Sequence, residues 1–212
     1  MPDPVDRRTV LMAGVGLSLA SMQRTNAASE NGAHEEWLNE PARWHREGSA
    51  ITIHAEPKTD FWRKTFFGYI TDNGHLLGRR IAGDFKATVN VAGRYAAQYD
   101  QAGLMVRLNP SVWMKCGVEF VDGRQHVSSV YTRDFSDWAG IPRDAATESL
   151  WFQLARKGSA FTFSFSLDGK EYTEVRQGYL TDEPELLVGV MAAAPEGPGF
   201  DATFRDLSIK GV

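Results

Sequence analysis

From residue 37 onward, apolar and polar positions alternate with a period of two, and turn-forming clusters interrupt the pattern every few residues. Residues 84–91 set the type: Phe85, Ala87, Val89 and Val91 fall on one side, and Asp84, Lys86, Thr88 and Asn90 on the other. One apolar face and one wet face is the pattern of an antiparallel strand lying on a core. Residues 160–167 repeat it, with Phe161, Phe163, Phe165 and Leu167 against Thr162, Ser164 and Ser166. Further strands are predicted around Trp44 and over residues 50–54, 61–65, 103–108, 112–121, 127–133, 150–156, 171–176, 186–192 and 199–209. Asn73-Gly74, Asn109-Pro110-Ser111, Asp122-Gly123 and Asp168-Gly169 separate them as turns, Asn-Gly and Asp-Gly because these pairs tolerate positive φ. A bulge is predicted near Asp206, so that Leu207 and Ile209 can rejoin the core set after Phe204. No segment past the N-terminal one shows a 3.6-residue apolar period. Roughly ten to twelve short strands in one domain must form two packed sheets. The fold class expected is all-β, a jelly-roll sandwich of two antiparallel sheets, with an open barrel as the alternative.

Residues 98–138 carry the densest chemistry, and strand parity sorts it. In residues 112–121, Val112, Met114, Cys116, Val118 and Phe120 share the face expected to be core. Trp113, Lys115, Gly117, Glu119 and Val121 share the other. Cys116 is thereby read as a small buried hydrophobe. In residues 103–108 the core set is Leu104, Val106 and Leu108, which leaves Gln101, Gly103, Met105 and Arg107 opposite. In residues 127–133, Ser128, Val130 and Thr132 are expected inward and Ser129, Tyr131 and Arg133 outward. If the three strands are neighbours, Gln101, Arg107, Trp113, Lys115, Glu119, Tyr131 and Arg133 form one face. An exposed Trp is a platform for a sugar or another planar group, and Gly103 and Gly117 would open room above the sheet.

Composition narrows the function classes. The 212 residues carry a net charge of −4, which lacks the basic face a nucleic-acid partner needs. Apolar residues are 42% and aromatic residues 11%, enough for a sizeable core. One cysteine allows no internal disulfide. Residues 1–28 differ from the rest: Arg7 and Arg8 precede a mildly apolar run, and small residues follow up to Ala28. That order is the one of an export signal, and the paired arginines resemble the twin-arginine type. The run is too short to span a bilayer. The expectation is therefore removal of residues 1–28, a single domain over residues 29–212 with no integral membrane segment, and an exported, periplasmic or extracellular location.

Tests for catalytic chemistry return little. A retaining glycosidase needs two carboxylates about 5 Å apart, but Glu119 is followed on its face by Val121 and Gly123. The histidines show no metal-ligand spacing, and no phosphate loop or nucleophile elbow is present. No metal and no cofactor is expected.

The segments Asp60-Phe61-Trp62-Arg63, Asp72-Asn73-Gly74-His75, Tyr99-Asp100-Gln101-Ala102-Gly103-Leu104, Trp113-Met114-Lys115-Cys116-Gly117-Val118-Glu119 and Ser136-Asp137-Trp138 carry a resemblance. They look like the uncharacterised domain family that includes the fungal "regulation of enolase" protein, within the concanavalin A-like lectin/glucanase superfamily. The resemblance covers residues 37–209 and implies a concanavalin A-like jelly roll with one concave sheet. It supplies no catalytic residues. The superfamily's glucanase motif, Glu-x-Asp-x-x-Glu, is not matched by Glu119-Phe120-Val121-Asp122, whose spacing differs.

The function expected is a non-catalytic binding domain for a carbohydrate or similar polar ligand. Trp113 and Tyr131 would stack on it, Gln101, Arg107, Lys115, Glu119 and Arg133 would hydrogen-bond it, and Trp138 would form a wall. The alternatives are a glycosidase or lyase using Glu119 with a partner from an unplaced loop, and a protein-interaction module with a flat apolar patch.

Overall fold

The computed structural model describes residues 34–144 and 147–212. Their chain order is β1 (Glu35–Leu38), β2 (Trp44–Glu47), β3 (Ala50–Ala55), β4 (Phe61–Arg63), β5 (Ile70–Asp72), β6 (His75–Ala82), β7 (Phe85–Gly93), β8 (Gln101–Asn109), β9 (Val112–Val121), β10 (Arg124–Arg133), β11 (Phe135–Pro142), β12 (Ser149–Lys157), β13 (Ala160–Ser166), β14 (Thr173–Tyr179), β15 (Glu185–Ala193) and β16 (Phe200–Gly211). There is no helix among the described residues. Sixteen strands exceed the ten to twelve expected. The strands not expected are β1, β5, β6 and β11: β1 and β5 are too brief to leave an alternation in sequence, and β6 and β11 carry no clean one.

Two seven-stranded antiparallel sheets make a sandwich. The first runs β1-β6-β15-β8-β9-β10-β11 and the second β14-β13-β12-β7-β16-β3-β2. β15 and β16 lie inside their sheets, each joining strands made much earlier in the chain. The main core between the sheets is built from alternate residues, as the period of two requires. Leu104, Val106, Met114, Cys116 and Val118 come from the first sheet, and Phe85, Val89, Phe152, Phe161, Phe163 and Phe204 from the second. The predicted bulge in β16 is present: the register with β7 shifts between Arg205 and Ser208, and Asp206 has φ 54°. The Asp122-Gly123 turn joins β9 to β10 with both residues at positive φ. Asn73-Gly74 differs from expectation. Neither residue has positive φ, because β5 pairs with β4 rather than with β6. The Asn73 side chain instead accepts from the Asp60 amide at 2.9 Å.

A second, smaller core lies on the outer face of the first sheet. Phe61, Leu76, Met105, Trp113, Val130, Leu187 and Met191 pack together there beneath the β4–β5 hairpin. Strands β8, β9 and β10 are therefore covered on both faces, and their residues are buried at both parities. This corrects the parity expected for residues 127–133. Val130 is opposite Lys115 and faces outward, whereas Tyr131 is opposite Met114 and faces the main core.

Cys116 is buried as expected, and burial pushes its thiol far above the ordinary value of 9.0. Burial likewise raises Tyr95 and Tyr131 above 10.0. In the unfolded chain these groups ionise at their ordinary values, while in the fold they stay protonated. Their stabilisation is intact below about pH 9 and is lost as pH rises through the unfolded values, because the unfolded state alone releases protons. Urea midpoints measured between about pH 8 and pH 10 should fall with pH, and Cys116→Ala should flatten the earliest part of that fall. Flat midpoints in the parent protein would contradict the burial of all three.

Candidate functional site

The β4–β5 hairpin and the start of β11 frame a cavity of about 640 Å³ on the outer face of the first sheet. Ion pairs fix the frame. Arg107 holds Asp72 through two parallel hydrogen bonds of 2.7 Å each. Arg63 and Lys64 hold Asp134 at 2.8 and 2.5 Å, and the Arg63 amide donates to Ser136 Oγ at 2.9 Å. Asp134 is exposed, and the hydrogen bonds from Lys64 and Arg63 lower its carboxyl below the ordinary range.

Between β4 and β5, residues 64–69 form a tight knuckle. The Lys64 amide donates to Tyr69 O and the Gly68 amide to Lys64 O. Lys64, Phe66 and Gly68 all have positive φ. For Phe66 that conformation is strained, and its side chain is 93% exposed. The knuckle supplies an aromatic wall: Phe67 stacks on Tyr69 at 5.4 Å and meets Trp62 and Tyr99 edge-on at 5.8 and 6.2 Å. Phe135 and Trp138 form the facing wall.

The floor is polar. Gln101 on β8 lies directly opposite Glu119 on β9, and Lys115 sits two outward positions away, beyond Gly117. The Lys115 ammonium donates to Gln101 Oε1 at 2.5 Å, Phe61 O at 2.6 Å and Asp60 Oδ1 at 3.3 Å. Gln101 Nε2 donates to Asp60 Oδ1 at 3.2 Å and Tyr99 O at 3.1 Å. Glu119 Oε2 accepts from Ser128 Oγ and Trp138 Nε1, both at 2.6 Å. Trp138 reaches Glu119 by leaning over Gly140, where a Cβ would sit 2.5 Å from the indole. Gly140 is thus needed for the close approach rather than for a turn. Gly103 and Gly117 face each other across β8 and β9. A Cβ on Gly103 would come within 1.9 Å of Cys116 O, so this pair serves the close approach of two backbones.

Of the predicted site residues, Gln101, Lys115, Glu119 and Trp138 line the cavity together. The other four stand elsewhere. Trp113 is fully buried against Phe61 at 6.1 Å, with Nε1 donating to Pro110 O, so it offers no stacking surface. Tyr131 faces the main core and donates to Phe161 O at 2.8 Å. Arg107 faces outward as expected but is spent on Asp72. Arg133 has the parity of Tyr131 and lies over the Tyr179 ring at 5.3 Å, outside the cavity lining. Sequence reasoning missed Asp60, Trp62, Tyr69, Tyr99 and Phe135, all lining residues. The aromatic density of residues 61–69 was the available signal. No group of His, Cys, Asp and Glu suited to a metal ion occurs among the described residues.

Comparison with known proteins places the chain in context. It is 37% identical over 173 residues to "Regulation of enolase protein 1" of Saccharomyces cerevisiae, covering 82% of this chain and 87% of that one. An uncharacterized protein of Emericella nidulans is 28% identical over 171 residues, covering 75% and 84%. The crystal structure of a functionally unknown Saccharomyces cerevisiae protein superposes with a TM-score of 0.81 at 36% identity, covering 84% and 96%. A GH43 protein of Bacillus licheniformis shares the sandwich fold at a TM-score of 0.68 and 15% identity, with this chain matching 37% of its length. These relatives correct the expected location. The two Saccharomyces cerevisiae relatives, one of them named "Regulation of enolase protein 1", speak against the expected exported, periplasmic or extracellular location. The proposed leader, residues 1–28, lies outside the described residues. The family model described as "Protein of unknown function (DUF1349)" matches residues 37–212, and the chain belongs to that family.

Proposed function

We propose that the chain is a non-catalytic binding domain whose cavity takes a carbohydrate or a similar polar ligand, on a fold of the concanavalin A-like lectin/glucanase superfamily. The observation that carries this reading is the pairing of facing aromatic walls with a buried hydrogen-bonded floor in one cavity of about 640 Å³. Sugar rings present apolar C–H faces to aromatic rings and hydroxyls to fixed polar groups, and the volume falls in the range of ligand pockets. A walled cavity also favours a small ligand over the flat patch of a protein-interaction module. Titration calorimetry of the full chain against a panel of oligosaccharides tests the reading. At least one should bind, and Trp138→Ala should weaken it by about tenfold, since Trp138 is both a wall and a holder of Glu119. Silence across the panel, or equal affinity in the variant, would refute the proposal.

One observation favours a hydrolase or lyase as the second reading: Asp60 lines the same cavity as Glu119 and is a second carboxylate beside it. Against it, Asp60 Oδ1 is held by Lys115, Gln101 and the Phe61 amide, as expected of a positioning group. Product formation during the same titrations would favour this second reading.

A further inference from the structure

Among the described residues, the side chains of the floor itself have acceptors to spare and no free donor; the cavity's free hydroxyls, those of Thr65, Tyr69 and Tyr99, stand on its aromatic wall. Lys115 has three N–H groups, and all three are used, on Gln101, Phe61 and Asp60. Gln101 has two, used on Asp60 and Tyr99. The indole N–H of Trp138 and the hydroxyl proton of Ser128 both go to Glu119 Oε2, and the indole N–H of Trp62 goes to Thr65 O. The two carboxylates are only half used. Glu119 is 7% exposed, and its Oε1 has no protein partner among the described residues. Asp60 is 8% exposed; its Oδ1 accepts three hydrogen bonds while its Oδ2 has no protein partner among the described residues. With the Lys115 ammonium bonded to Asp60, the three charged groups of the floor sum to one net negative charge, and aromatic side chains line the same cavity.

A ligand hydroxyl on this floor can donate, but its own oxygen finds no donor there. A carboxylate or phosphate on the ligand meets two buried carboxylates and no free cation. An ammonium group donates only, needs nothing in return, and gains from both the negative floor and the aromatic faces. We propose that the cavity selects a sugar carrying a free ammonium group, seated between Glu119 Oε1 and Asp60 Oδ2. This rests on the carbohydrate reading above and narrows it to amino sugars.

The experiment compares three oligosaccharides of equal length by calorimetry with the full chain: one built of glucosamine, its N-acetylated form, and its glucose counterpart. The glucosamine oligomer should bind at least about tenfold more tightly than the other two. Glu119→Gln keeps an oxygen for Ser128 and Trp138 but turns a donor toward the ligand, so it should bring the glucosamine oligomer level with the glucose one. Asp60→Asn should act in the same direction but also breaks the Lys115 pair, so its binding is read well below its own lowered thermal midpoint, while an unchanged midpoint in Glu119→Gln separates lost recognition from lost folding. Equal or tighter binding of the neutral or acetylated oligomer overturns the ammonium preference and leaves the carbohydrate reading standing. Failure of all three oligomers to bind, or equal binding of tetramethylammonium alone, overturns the amino-sugar proposal, and silence across the wider oligosaccharide panel overturns the carbohydrate reading with it.

Discussion

Trp113→Ala should lower the unfolding free energy by about 3–5 kcal/mol, the cost of emptying a large aromatic site in a packed interior. The residue that the sequence offered as a bare platform is instead the centre of the outer core. Its ring has no exposed surface, packs against Phe61 at 6.1 Å and lies under the Lys115 ammonium at 5.7 Å. Truncation removes apolar contact on two sides at once: from Met105 and Val130 on the flanking strands β8 and β10, and from the β4–β5 hairpin above. The Phe61 ring, itself fully buried, loses the surface it rests on, and the Pro110 carbonyl loses its indole donor. Urea unfolding followed by far-ultraviolet circular dichroism measures the loss without relying on Trp fluorescence. A change below about 1 kcal/mol would mean that the ring is solvated in the folded protein, as parity had suggested.

Lys115→Met is the second large effect, for an electrostatic reason. Lys115 is 5% exposed and bonds to a backbone carbonyl, an amide oxygen and a carboxylate. Methionine fills much the same volume but leaves Asp60 as a buried charge without its cation. Breaking a buried pair in this way costs about 3–5 kcal/mol. Asp60→Asn removes the stranded charge, so the double variant should be less destabilised than the sum of the two single variants. The shortfall should exceed about 0.5 kcal/mol, the margin within which independent sites add. Chemical denaturation of the four proteins gives the cycle directly. Additive losses would show that the 3.3 Å contact between Lys115 and Asp60 contributes little, and that Phe61 O and Gln101 are the partners that matter.

These two residues show how far the sequence could be read. The two-sheet sandwich was legible because strands such as β3 and β7 have one core face and one wetter face, which alternation reports; in β13 it holds only to Phe163, where the register shifts, so that Ser164 and Ser166 are buried and Leu167 is exposed. The bulge at Asp206 was legible for the same reason, since Leu207 and Ile209 fall out of phase with Phe204. Strands β8, β9 and β10 were harder. Leu104, Met105 and Val106 are consecutive and all buried, as are Trp113 and Met114, and Val130 and Tyr131. A strand apolar at both parities gives no indication which face is which. The face assignment for β9 held at Trp113, Lys115 and Glu119, but Trp113 is buried in the outer core rather than bare, and the assignment for β10 was inverted. The cavity was half legible. Gln101, Lys115 and Glu119 could be placed together from strand spacing, but Asp60 and the aromatic wall come from a hairpin folded across the sheet from some forty residues away in sequence. No local pattern reports such a contact; only the aromatic run at residues 61–69 hints that something there needs burying.

The interior positions of β15 and β16 have a consequence for how the chain is made. Among the described residues β15 alone joins β1-β6 to β8-β9-β10-β11 in the first sheet, and β16 alone joins β3-β2 to β7 in the second. During synthesis, hairpins such as β9–β10 and β12–β13 can form as they emerge, because their partners adjoin in sequence. Neither sheet can close until residues 185–211 have left the ribosome. Until then the nascent chain holds two pairs of unfinished half-sheets with open edges, and completion of the sandwich waits for these last two strands.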